Sequence, residues 1–271
     1  MNIFVKFLLS LLITIFILLF QRITGPTYPR KFIINDNQVK LKTILIRSAN
    51  NNKKAQIVIN GTINNISAKL FYKKYKFEKN YNSVNFSKIN NKLIAYLEPL
   101  PAGGKYEYYI LVNNHNSGIT YKSPKTIIRF KNPVPTSFIL LHIIFIFSGF
   151  FMSSLTFIES ITKKNSINSI LKKVKYSIIL FFIGGLIFGP IIQKYAFNVW
   201  WSGFPFNIDL TDNKMLILQI FWTYFYYKAK KTNNLKYIIY GFILIVLVFL
   251  VPHSILGSEY DFKEGKHTIG Y

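Results

Sequence analysis

TSFILLHIIFIFSGFFMSSLTFI, residues 136–158, decides the fold class. It carries no Asp, Glu, Lys or Arg. As a helix it would extend about 34 Å at 1.5 Å per residue, enough to cross the apolar part of a bilayer. Similar stretches lie on either side of it. Ile3 to Phe20 is apolar apart from Lys6, and the residues after it (Gln21-Arg22-Ile23-Thr24-Gly25-Pro26) offer no small-x-small cleavage site. That segment is therefore expected to stay as an anchor rather than be removed as a signal peptide. Tyr176 to Phe197, Met215 to Tyr227 and Tyr237 to Val251 complete a count of five expected spans.

Lysines orient them. Lys163, Lys164, Lys172, Lys173 and Lys175 follow the second span, and Lys228, Lys230, Lys231 and Lys236 follow the fourth. The stretch Asn198 to Asn213 between spans three and four has none. By the positive-inside rule the two lysine-rich loops face the cytoplasm. The expected location is a bacterial inner (cytoplasmic) membrane, with the N-terminus cytoplasmic. Residues 21–134 and the C-terminus would then be periplasmic or extracellular. Gly184-Gly185-x-x-x-Gly189-Pro190 in span three predicts close helix packing by Gly185 and Gly189 on one face, and a kink at Pro190.

Between the first two spans the period changes to two. Residues 43–47, 55–59, 67–72, 93–97, 105–112 and 125–130 are short runs rich in β-branched and aromatic residues, separated by turn residues such as Asn60-Gly61. Several short strands at this spacing predict a β-sandwich. The expected organisation is an α + β multi-domain chain: an anchor over 1–20, an outer β-sandwich over 21–134, a four-helix membrane domain over 135–257, and an outer tail over 258–271.

The chain has no cysteine, which removes disulfides, thiolate metal sites and cysteine nucleophiles. Its net charge of +24 invites a nucleic-acid reading. The cations are scattered, however, without a run or an Arg-rich helix, so nucleic acid is not expected as a partner. They are read mainly as solvated surface charge, with attraction to anionic lipid headgroups or to an acidic partner as the lesser reading.

Two resemblances follow from particular residues. Leu97-Glu98-Pro99-Leu100-Pro101-Ala102-Gly103-Gly104-Lys105-Tyr106-Glu107-Tyr108-Tyr109 resembles the turn and strand of the tyrosine corner in fibronectin type III domains. It implies a sandwich used as a spacer or binding module. The Thr24–Pro29 stretch, the Gly203–Lys214 loop and the Pro252–Glu259 segment resemble uncharacterised bacterial integral membrane proteins. That likeness implies an architecture and no activity.

Chemistry, if present, is expected at the outer layer of the membrane half. Asp209, Asp212, Glu259, Asp261 and Glu264 are five of only ten acids in the chain. His142 lies inside span two, where an ionisable residue is costly and marks a functional-site hypothesis. His253 follows span five, and Trp200 and Trp201 belong to the same layer. His142 and His253 could hold a b-type haem, with Gly149 clearing the macrocycle. Alternatively His142, His253, Asp209, Asp212 and Glu259 could hold a divalent transition metal. Against both, Asp209 and Asp212 could cap the helix that follows, the tryptophans could form an interfacial belt, and His142 could bond a backbone carbonyl. The favoured expectation is a non-catalytic accessory or subunit of a cell-envelope assembly. Its partners would be the lipid bilayer and other membrane or envelope proteins. A haem- or metal-binding redox protein or enzyme is the alternative.

Overall fold

A computed structural model describes residues 2–36, 39–162, 166–206, 209–252 and 258–269. The chain divides into two compact units. One takes the described residues up to Pro26 and from Val134 to Pro252; the other takes Thr27–Pro133 and the residues from Ser258. The C-terminal segment expected as a free tail thus belongs with the strand-rich unit.

The strand-rich unit has two main sheets. The first contains β1 (Arg30–Asn35), β2 (Lys40–Leu45), β4 (Ala55–Gly61), β8 (Lys92–Leu97) and β7 (Ser87–Ile89), in that spatial order. The second runs β3 (Ser48–Asn50), β11 (Thr126–Lys131), β9 (Lys105–Asn114), β5 (Ile66–Lys74) and β6 (Asn82–Asn85), with β10 (Thr120–Lys122) paired to β9. All pairings within the two sheets are antiparallel except β3 with β11, which is parallel. Alternation drives the packing. On β9, Tyr106, Tyr108, Ile110 and Val112 are buried, while Glu107, Tyr109 and Leu111 face out. They share one core with Leu41, Leu45, Ile57, Ile59, Ala95 and Leu97 of the first sheet. Burying both inner faces together is what makes two sheets stable in water. The Tyr108 hydroxyl donates to the Ile46 carbonyl at 2.9 Å, where the chain passes from one sheet to the other. It satisfies a buried phenol.

The C-terminal hairpin, β12 (Ser258–Asp261) with β13 (Lys266–Ile269), joins this unit. Tyr260 N donates to the Gly103 carbonyl at 3.2 Å. The Phe262 ring lies 5.6 Å from that of Phe77.

The helical unit contains α1 (Ile3–Thr24), α2 (Thr136–Thr162), α3 (Ile167–Phe181), α4 (Gly189–Phe197), α5 (Leu210–Thr232) and α6 (Lys236–Leu250), with a π-helix over Phe182–Phe188. Among the described residues, three helices are long and apolar enough to cross a membrane. They are α1, α2 and the continuous helix Ile167–Phe197; the 15-residue α6 is apolar but shorter. The expected third span therefore starts earlier than Tyr176. Lys172, Lys173 and Lys175 lie on α3 and not in a loop. Ile170, Leu171 and Val174 bury the opposite side of that helix, an amphipathic pattern that ordinary hydropathy hides.

Span three accommodates Pro190 through a π-helical turn. Pro190 has no N–H to give the helical ladder. The turn ahead of it widens, and Gly189 N donates to Gly184 O in an i→i+5 bond. The widening also splits the glycines. Gly184 packs on Phe145 and Ile146 of α2, and Gly185 on Met215 of α5, instead of Gly185 and Gly189 sharing a face.

α1 is more than an anchor. Its buried residues are Lys6, Ser10, Thr14 and Ile17. Ser10 Oγ donates to Lys6 O at 2.8 Å and Thr14 Oγ1 to Ser10 O at 2.7 Å. Phe7 meets Phe151 of α2 edge-on at 5.0 Å, and Gln21 Nε2 donates to Phe249 O of α6 at 2.8 Å. Small polar residues at i and i+4, Ser10 and Thr14, let helices pack closely where lipid offers no hydrophobic drive.

Candidate functional site

The expected ligands His142, Asp209, Asp212 and Glu259 each have protein partners. His142 Nδ1 donates to the Gly184 carbonyl at 2.8 Å, which fixes the ring's orientation. Gly149 gives no clearance for a macrocycle. A Cβ there would stand 2.9 Å from the Phe181 ring, and the Gly149 carbonyl accepts from Ser177 Oγ at 2.9 Å. Glu259 belongs to the strand-rich unit, where Lys76 and Lys105 each approach its carboxylate at 3.3 Å. His253 lies outside the described residues. Among the described residues no group of three or more His, Asp or Glu is placed to hold a metal.

Asp209 and Asp212 do come together, at the start of α5. Asp209 caps the helix and accepts from Thr211 N at 2.7 Å. Asp212 reaches back instead and accepts from Ser202 N at 2.7 Å, with further bonds from Gly203 N and the Gln193 side chain. Asn213 Oδ1 takes Phe204 N at 2.7 Å, and Trp201 Nε1 donates to Phe204 O at 3.1 Å. These bonds fix the loop so that Trp200, Phe204 and Phe206 stand out, the last 79% exposed. Lys214 is buried beside the cluster and donates to Val251 O at 3.1 Å.

Both charged groups precede Met215, where the apolar part of α5 begins. Burial pushes the Asp212 carboxyl up from 3.8 to about 6, with Asp209 adding and the amide bonds opposing. Burial likewise pushes Lys214 down to about 8, opposed by Asp209. Because the folded Asp212 pKa lies above the unfolded one, its neutral form favours folding. That stabilisation is full below about pH 4 and is lost as pH rises through about 6, amounting to about 3 kcal/mol. Lys214 acts in a separate window above pH 8. Asp212→Asn keeps an acceptor for Ser202 N without the charge. Thermal unfolding of the full chain in a non-ionic detergent, from pH 4 to 8, is expected to slope downward in the parent and flatten in the variant. An unchanged slope would place the titration elsewhere.

The second cluster escaped the sequence reading. On the outward side of the second sheet, Phe71 of β5 and Tyr109 of β9 stand opposite each other, rings 5.0 Å apart and within 3° of parallel. Tyr81 meets Tyr109 edge-on at 5.0 Å. Lys122 Nζ lies 4.6 Å from the Tyr109 centroid, and Lys73 and Lys125 lie 5.0 and 5.8 Å from that of Tyr81. Glu107, the acid on this face, is engaged by the Tyr81 hydroxyl and by Lys73. Each of these lysines lies within cation–π range of a ring. The signal was the alternation Lys69-x-Phe71-x-Lys73 against Glu107-x-Tyr109-x-Leu111. It names a face only once the strands are registered.

No family model matches the chain, and no curated protein matches it. Among solved structures, one match is titled "Crystal structure of Br derivative BhCBM56": 12% identical, TM-score 0.27, covering 36% of this chain and 97% of that one. A likeness of that size assigns neither fold nor ligand.

Proposed function

We propose that this chain is a bacterial inner-membrane accessory or subunit protein whose outer, fibronectin type III-like sandwich binds an acidic partner protein of an envelope assembly. The lysine–aromatic face of β5, β9 and β10 carries this reading. It presents Lys73, Lys122 and Lys125 beside the rings of Tyr81 and Tyr109, with Glu107 already engaged. Complementary charge governs encounter and register at such faces more than raw affinity.

Topology supports the five-span layout. The C-terminal hairpin and the sandwich form one compact unit, so both lie on one side of the membrane. The chain between Asn132 and Val251 then crosses an even number of times. α2 and Ile167–Phe197 supply two crossings; α5 and α6 either both cross or neither does. The lysines at both ends of the α5–α6 turn favour crossing with that turn in the cytoplasm.

The test is co-purification of the tagged full chain in mild detergent. A stoichiometric partner is expected with the parent and lost at moderate salt or in Lys122→Glu/Lys125→Glu. A partner retained by that variant would overturn the assignment of this face. The same preparation answers the haem alternative: a Soret band lost in His142→Ala would move the function to the membrane half.

A further inference from the structure

The outward side of the first sheet breaks the usual rule that a solvated sheet face is polar. Its outward positions are Lys31, Ile33 and Asn35 on β1; Lys40, Lys42 and Ile44 on β2; Gln56, Val58 and Asn60 on β4; Lys92, Ile94 and Tyr96 on β8; and Ser87 and Ile89 on β7. Ile33, Ile44 and Tyr96 are 58%, 49% and 45% exposed. Register joins them: Lys31 faces Ile44, Ile33 faces Lys42, Val58 faces Ile94, and Gln56 faces Tyr96. None of these outward positions is an acid.

A second feature lies on the same face. Ile33, Asn35, Lys40, Lys42 and Asn60 are among the residues lining a shallow, open depression of about 320 Å³, whose exposed lining is mainly apolar. We infer that this face docks on anionic lipid headgroups, with Lys31, Lys40, Lys42 and Lys92 among the headgroups and with Ile33, Ile44 and Tyr96 at the acyl boundary. Charge complementarity selects the occupant. Apolar residues interleaved with lysines, without acids, match a negatively charged interface, and Tyr is at home at that depth. A water-filled surrounding would favour polar residues at Ile33 and Ile44. The inference rests on the chain being membrane-held. It does not depend on partner contact through the second sheet, which would be left facing away.

The absence of cysteine makes the test direct. Ile44→Cys creates a single labelling site in the full chain, and Ser67→Cys, on the outward side of the second sheet, creates a control. Each is reconstituted into nanodiscs of phosphatidylcholine alone or with phosphatidylglycerol and labelled with an uncharged maleimide. Labelling at position 44 is expected to slow about tenfold in the anionic discs, to recover with added salt, and to recover in Lys40→Gln/Lys42→Gln. Position 67 should change little. Equal rates at position 44 in the two discs would overturn the inference. So would protection that appears only in native membranes and never in lipid-only discs, which would assign the face to a protein.

Discussion

Gly61→Ala is expected to unfold the sandwich under conditions where the parent remains folded. Gly61 ends β4 opposite Leu41 and has φ +133°. An added Cβ would stand 2.0 Å from the Lys40 carbonyl oxygen and 3.0 Å from Leu41 Cα. That oxygen cannot simply swing away, because it accepts from Thr62 N at 3.1 Å. Conformational strain alone costs about 1–3 kcal/mol, and a backbone overlap adds to it, so a loss of about 3 kcal/mol or more is expected. Gly118 separates the two contributions. Its φ is +69°, yet a Cβ there would meet nothing within 4 Å. Gly118→Ala should therefore cost only about 1 kcal/mol. Hydrogen exchange on the full chain in detergent reads both variants. In Gly61→Ala, β2, β4 and β8 should lose protection while α2 and α3 keep theirs, since they belong to a separate compact unit. Equal effects of the two variants would show that strain, and not the overlap, dominates.

The sequence revealed the elements whose burial is one-sided and regular. β4, β5, β9 and β11 alternate, and their cores follow from that. β2 runs Lys40–Leu45 rather than 43–47, β8 buries three successive residues, and β1 (Arg30–Asn35) is not among the expected strands. β3, β6, β7 and β10 have three or four residues each, too few for a period to appear. The hairpin over Ser258–Ile269 was missed for the same reason, and Glu259 was then assigned to the wrong surroundings. An acid near a span looks like a membrane-layer ligand until its partners, Lys76 and Lys105, are brought to it by a contact of high sequence separation. α3 was read short because its lysines interrupt an apolar run, although Ile170, Leu171 and Val174 mark a helical stripe. The π-helix has no signature beyond Gly189-Pro190. The capping role of Asp209 was legible from its place before an apolar run. The backward reach of Asp212 was not, because it depends on where the Ser202 amide lies.

The strongest asymmetry is expected at Glu159 and Lys173. Glu159 of α2 is buried, and its Oε1 receives Lys173 Nζ of α3. Its Oε2 has no hydrogen-bond partner among the described residues. Lys173 keeps 28% of its side chain exposed against 3% for Glu159. Removing the lysine therefore strands a buried carboxylate, whereas removing the carboxylate leaves a lysine that can extend to water. Lys173→Met should cost about 3–5 kcal/mol, and Glu159→Met about 1 kcal/mol or less. The double substitution removes both desolvation penalties and should be near neutral, or more stable by about 1–4 kcal/mol. Thermal unfolding of the four proteins in one detergent closes the cycle. Equal losses in the single variants would mean the carboxylate is not effectively desolvated. A double variant as unstable as Lys173→Met would mean that the site depends on its packing rather than on the pair. If the double variant is stable, the fold does not require this ion pair. Its presence between α2 and α3, where the other buried polar side chains are serines and threonines, would then have to be explained by what the helical unit does, and α2–α3 would be the place to measure it.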